Sequence, residues 1–236
     1  MLQSVNELKG YTIDAADGRI GSVKDVYFDD ERHTVRYLIV DTGAWLTGRR
    51  VLISPPGVVR IDHSEKTVRV RPTRQEIEDS PGIEEDQPVS RQQEASLSRY
   101  WGYPLYWSGP YLWGVGAFPE LGAGAMRPPV APLDRLDAPQ SHDAEQPRGD
   151  QHLRSAREVI GYHVEATDGA LGHVEDMMID EADWSLKEIV IDTRNWWPGK
   201  HVRVPADALD RIRWEDRTIT VRLSRHEIET RPEVEA

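Results

Sequence analysis

The chain repeats itself. Displaced by 151 positions, residues 8–81 fall on residues 159–232 without a gap, and roughly a third of the aligned positions are identical. Ordinary residue usage gives about one match in sixteen by chance. Gly10-Tyr11 falls on Gly161-Tyr162, Asp17-Gly18 on Asp168-Gly169, Gly21 on Gly172, Asp25 on Asp176 and Asp41-Thr42 on Asp192-Thr193. Trp45 falls on Trp196, Gly48 on Gly199, Val51 on Val202, Glu76-Ile77-Glu78 on Glu227-Ile228-Glu229 and Pro81 on Pro232. This period is far longer than the about 20–50 residues of stacked repeat units, so each copy is expected to be a whole domain.

Within a copy the pattern is β. Residues 20–28 (IGSVKDVYF) alternate and then turn apolar, and residues 34–40 (TVRYLIV) are rich in β-branched and aromatic residues. Residues 51–53, 58–61 and 67–70 predict further short strands. Asp17-Gly18 and Asp168-Gly169 are hairpin signals, because Gly accepts positive φ without a steric penalty. Thr73-Arg-Gln-Glu76 and Ser224-Arg-His-Glu227 fit capping boxes, and Pro81 and Pro232 limit each predicted helix to a turn or two. The expected class is all-β, with two small barrels that close their own edges, each ending in a short helical turn.

The two copies resemble the PRC-barrel domain. The resemblance is carried by residues 10–30 (GYTIDAADGRIGSVKDVYFDD), 37–55 (YLIVDTGAWLTGRRVLISP) and 73–81 (TRQEIEDSP), and by residues 161–180 and 189–205 of the second copy. The family includes the cytoplasmic part of the photosynthetic reaction-centre H subunit, the C-terminal domain of the bacterial ribosome-maturation factor and many stand-alone bacterial and archaeal proteins, which the chain matches best. The second copy departs from the pattern, with Arg194 in place of the Gly of Asp-Thr-Gly and Pro205-Ala206 in place of Ser54-Pro55. The resemblance brings no shared catalytic residues. It implies docking onto other macromolecules.

Residues 82–157 have no counterpart in either copy. Ser90 is a candidate cap for a short helix containing Leu97. Tyr100 to Phe118 (YWGYPLYWSGPYLWGVGAF) carries Trp101, Tyr103, Tyr106, Trp107, Tyr111 and Trp113 and no charge. Three readings stay open for it: an arm packed on or between the barrels, an exposed protein-binding surface, or shallow contact with a membrane interface. Its Gly and Pro residues argue against a spanning helix. Residues 120–157 are Pro-, Ala-, Gly-rich and polar and read as a flexible linker. The expected organisation is a domain over 5–82, the aromatic arm over 83–119, the linker over 120–157 and a second domain over 158–233.

The net charge of −12 lies mostly in the second copy: residues 158–236 hold 10 Lys/Arg against 18 Asp/Glu, while residues 1–81 hold 12 against 13. Such an acidic chain repels phosphate backbones, so nucleic acid is a disfavoured partner. The sequence holds neither Walker-type phosphate loop, Gly-x-Gly-x-x-Gly, nor Gly-x-Ser-x-Gly elbow. His163 and His173 face each other across the second hairpin and read as a solvated pair, not a metal site. Asp14, Asp17 and Asp25, like Glu165, Asp168 and Asp176, lack EF-hand spacing and read as turn-forming, solvated carboxylates. No catalytic residue, cofactor or metal is expected.

A second set of candidate partner-binding residues lies in the loops after Asp41-Thr42 and Asp192-Thr193. Trp45 with Arg49 and Arg50, and Trp196 and Trp197 with Lys200, are read either as barrel-end plugs or as contact patches. The absence of cysteine and of a basic, apolar leader in MLQSVNELKG makes a cytoplasmic location the expectation. The leading reading is a non-catalytic interaction or scaffolding module with a protein partner. Homo-oligomerisation and pairing of the two barrels within one chain are both compatible with it. The alternatives are a membrane-peripheral component of an electron-transfer or photosynthetic assembly, and an accessory factor in RNA processing or ribosome assembly that acts through a protein.

Overall fold

The computed structural model describes residues 1–43, 45–46, 49–82, 89–114, 153–193 and 200–230. The first copy contains β1 (Leu2–Ser4), α1 (Val5–Leu8), β2 (Thr12–Ala15), β3 (Gly18–Asp29), β4 (Thr34–Asp41), β5 (Arg50–Ile53), a 3-10 turn at Pro55–Gly57, β6 (Val58–Asp62), β7 (Thr67–Val70) and α2 (Arg74–Asp79). Between the copies lies α3 (Arg91–Trp101). The second copy repeats the order with β8 (Leu153–Ser155), α4 (Ala156–Val159), β9 (His163–Ala166), β10 (Gly169–Asp180), β11 (Leu186–Asp192), β12 (His201–Pro205), a 3-10 turn at Ala206–Ala208, β13 (Leu209–Arg213), β14 (Thr218–Val221) and α5 (Arg225–Glu229).

The all-β class holds, and the expected closure does not. Each module is a sheet in the order β5-β4-β3-β2-β7-β6 or β12-β11-β10-β9-β14-β13, and its end strands do not pair with each other. The chain leaves β5 through a 3-10 turn that begins with Pro55-Pro56, two residues without an N–H to extend a ladder, and β6 then pairs with β7 alone. Pro205 ends β12 at the same place. Both capping boxes form, Thr73 with Glu76 and Ser224 with Glu227. They seat α2 and α5 so that Ile77 and Ile228 are fully buried.

At Gly21 and Gly172 the long strands pass close to the backbone that ends the neighbouring strand. A Cβ at Gly21 would lie 2.0 Å from the Asp41 carbonyl oxygen, and one at Gly172 would lie 1.9 Å from that of Asp192. No side chain fits there, which explains why both copies keep glycine.

The modules are joined by a reciprocal exchange of strands. β2 occupies one edge of β3 along Gly18–Ser22. Further along the same edge, β8 of the second copy pairs with Tyr27–Asp29. In turn β1 pairs with Met178–Asp180 of β10. Residues related by the 151-residue shift meet between the modules: Thr34 bridges to Ser185, Val35 N donates to Trp184 O (2.8 Å) and Leu186 N donates to His33 O (2.6 Å). A pseudo-two-fold axis therefore passes between Thr34 and Ser185. The apolar cores of the modules form one continuous core that includes Val5, Leu8, Met177 and Ile179.

Asp25 and Asp176 pin the exchanged strands, which corrects their reading as solvated carboxylates. Asp25 is 4% exposed and accepts hydrogen bonds from Ser155 Oγ (2.6 Å), Arg157 N (3.1 Å) and its neighbour Val26 N (2.8 Å). Asp176 accepts from Ser4 Oγ and from Asn6 N (3.0 Å). Ser4 and Ser155 also cap α1 and α4. β8 and α4 begin inside the stretch expected to be linker, because the repeat extends further towards the N-terminus than its densest identities: Leu2, Ser4 and Glu7 fall on Leu153, Ser155 and Glu158. Asp17 and Asp168 accept from the first amides of α2 and α5, Arg74 N (2.7 Å) and Arg225 N (2.8 Å).

Replacing Asp25 with Ala leaves a buried hydroxyl and two amides without their acceptor, a loss of about 3 kcal/mol at the usual 1–3 kcal/mol per stranded group. Asp176→Ala, at the more open twin site, is expected to lose less, and urea unfolding of both variants measures the order. His33 gives a pH signature. Burial pulls its imidazole below the ordinary value, while Asp29 and Asp30 pull it back up and Arg222 adds to the lowering. With the folded value depressed, the unfolded chain binds more protons once the pH drops through the ordinary His value. The stability is thus complete above about pH 6.5 and is lost below it. His33→Asn, which tolerates the φ of 47° at this position, is expected to flatten the acid side of the unfolding-midpoint profile.

Candidate interaction surface

The arm departs from the symmetry of the repeat because the outer faces of the two modules differ. In the first module Tyr37, Ile39 and Leu52 form an apolar patch with Tyr27 and Leu153. The corresponding residues of the second are Glu188, Val190 and Arg203, and Arg203 pairs with Glu188 at 3.4 Å. A helix with one apolar face can bury itself on the first patch and not on the second. α3 does so through Leu97 and Trp101, with Val89 just before it. Ser90 caps it reciprocally with Gln93, and Gly102, at φ 70°, ends it in the left-handed conformation.

Beyond α3 the chain crosses the β3–β4 turn, where two arginines hold it. Arg32 donates to the carbonyls of Tyr106 (3.1 Å), Gly109 (3.1 Å) and Tyr111 (2.7 Å). Arg36 is fully buried, donates to Leu112 O (2.6 Å) and Asp29 Oδ2 (3.0 Å), and lies between the rings of Tyr106 (3.9 Å) and Trp113 (4.9 Å). Burial pulls its guanidinium below the ordinary value, and the charge and hydrogen bond of Asp29 oppose that pull. Tyr106 Oη donates to the fully buried Glu94 of α3 (2.9 Å). Burial first, and Glu94 second, push the Tyr37 hydroxyl well above its usual range. Trp113 Nε1 donates to Asp183 O (3.0 Å) in the second module, so the arm clamps both copies.

The six aromatics expected to bind a partner therefore divide. Tyr106 and Trp113 are buried inside the chain's own fold, their faces taken by Arg36. Trp101, Tyr103 and Trp107 are half-buried and Tyr111 is 58% exposed. Trp101 stacks on Tyr103 (centroids 6.5 Å apart, 21° between planes), and the Arg91 guanidinium lies 4.3 Å from the Trp107 ring. Burial raises the Tyr103 hydroxyl, with Arg71 opposing.

The loop candidates fare differently. Trp45 is half-buried against the core, with Arg74 4.8 Å from its ring. Arg49 donates to the carbonyls that end α2, Glu78 O (2.7 Å) and Ser80 O. Arg50 opens β5. Lys200, half-buried, accepts through its carbonyl from Thr193 Oγ1 (2.8 Å). Trp196, Trp197 and Arg194 lie outside the described residues. What sequence reasoning missed was Arg32 and Arg36. Arg32 sits in a polar turn and Arg36 is the one charged residue of the apolar run 34–40; that run and the uncharged arm were the signals that carbonyls and ring faces needed a cation.

Among the described residues no helix is long and apolar enough to cross a membrane. The PRC-barrel domain family model matches the chain twice, over residues 3–77 and 152–227, so the matches begin at the exchanged strands. No curated protein matches the sequence.

Arg36→Ala strands Asp29 as a buried carboxylate and removes the arm's seat, and a loss on the order of 3–5 kcal/mol is expected. At the twin position Lys187 pairs with Asp183 (3.2 Å) on the surface, and Lys187→Ala should change stability by no more than about 0.5 kcal/mol. Urea unfolding followed by tryptophan fluorescence compares them.

Proposed function

Because the chain belongs to the PRC-barrel domain family, a family of non-catalytic modules, we propose that it is an interaction or scaffolding module that binds a protein partner through the outward side of its aromatic arm. The observation that supports this is the state of Tyr111, which is exposed, and of Trp107, which is half-buried. Tyr111 and Trp107 project from a backbone already fixed by Arg32, and Arg91 lies against Trp107. Aromatics presented on a rigid seat bury large areas while losing little further conformational entropy, which is the property of interface anchors. Tyr106 and Trp113 act in this reading as the foundation of the surface.

The test is affinity capture from native extract with the wild type and with a Trp107→Ala/Tyr111→Ala double variant, after checking that their unfolding curves coincide. The expected outcome is a protein retained by the wild type and lost by the variant. Identical capture by both removes the arm as the binding surface.

A further inference from the structure

The second module carries imidazoles that the first lacks. His163 stands opposite His173 across β9–β10, His173 opposite Asp192 across β10–β11, and Asp192 opposite His201 across β11–β12. Directly opposed residues of a ladder share a face. Their chain neighbours Val164, Val174, Ile191 and Val202 are buried, so the row lies on the outer face. The same row in the first module reads Thr12, Ser22, Asp41 and Arg50, with the acid kept and no imidazole.

His163 is exposed and His173 half-exposed, with ring centroids 4.5 Å apart and 48° between planes. Zinc bonds to imidazole nitrogen of about 2.0–2.1 Å in a tetrahedral arrangement place two ligand nitrogens about 3.3 Å apart, within reach of two rings at this separation. His201 is engaged through Nδ1 by Glu175 and is not counted as a ligand. Among the described residues no three His, Asp or Glu side chains gather at one point. An ion here takes two ligands from the chain, and Asp192 beside His173 offsets part of its charge.

We propose that His163 and His173 form a two-imidazole site for a borderline divalent transition-metal cation such as Zn2+, its remaining positions open to water or to an incoming ligand. In the sequence the hairpin already sets the two residues face to face, where they read as a solvated pair; the structure adds the 4.5 Å separation of their rings.

The probe is Zn2+ alone, titrated calorimetrically into the full chain at neutral pH. One ion per chain is expected. His163→Gln and His173→Gln should each weaken binding by at least the about tenfold that loss of a ligand's orienting partner alone costs, with the unfolding transition intact. Affinity should fall as the pH is lowered, because protons compete with the metal for the ligand nitrogens. His201→Gln and His226→Gln should leave binding unchanged. No binding at millimolar Zn2+, binding that survives both ligand variants, or an equal loss on His201→Gln overturns the assignment.

Discussion

The structure depends on an unfilled edge. β3 and β10 are each twelve residues long, and β2 or β9 covers only the first part of one edge. The remainder would be a row of unpaired amides and carbonyls next to an apolar core, a position that invites association. The chain fills it with the opening strand of the other copy, and does so twice. Asp25 and Asp176 make the exchange specific, because each carboxylate takes both the capping hydroxyl and an amide of the incoming segment. Main-chain pairing alone tolerates slipped registers, whereas a buried acceptor facing one serine does not. Tethering the copies in one chain makes this pairing intramolecular and independent of protein concentration.

Duplication then permits divergence. Once the exchange and the shared core hold both modules, their outer faces are released from identical duty. The first is apolar at Tyr37, Ile39 and Leu52 and carries α3. The second has a polar face with Glu188 and Arg203 and carries His163, His173 and His201. The charge follows the same division, since the excess of acid lies in the copy without the helix. Leu2 and Leu153 show it at one position: the first is 41% exposed, and the second packs with the apolar patch beneath α3.

How far the sequence revealed this depended on whether the determining contact was local. The repeat, the strands from β3 to β7, the hairpin glycines and the capping boxes were legible, because the residues that encode them are close together; β2 was implied only by the hairpin signal that follows it. The family resemblance carried the fold. Closure was misjudged because a sheet edge is decided by where the next strand goes, and Pro55-Pro56 reads equally well as a tight corner within a barrel. The exchange was missed because its signal is short: Leu, Ser and Glu repeated at 2, 4 and 7. Asp25 and Asp176 looked like any carboxylates near a turn, since only the partner copy supplies the hydroxyl and the amide that they accept from. The aromatic arm was seen as a unit, but the buried and the exposed residues in it could not be separated without knowing where Arg32 and Arg36 point.

The turn between β3 and β4 is where these constraints meet. Asp29 pairs with Leu153 of the exchanged strand, accepts the turn amides of Glu31 and Arg32 through Oδ1 and holds Arg36 through Oδ2. Four and six residues on, His33 and Val35 pair across the pseudo-two-fold axis with Leu186 and Trp184. Arg32 and Arg36, fixed from beneath by Asp29 and its turn, fix the arm from above. The arm in turn reaches Asp183 in the second module through Trp113. The pairing of the copies and the presentation of the arm are therefore not separable properties. A change that loosens the axis withdraws one end of the clamp, and a change that removes Arg36 leaves an uncompensated charge beside the exchanged strand. The arm is therefore only as ordered as the contact between the two copies, because one end of it is held by each.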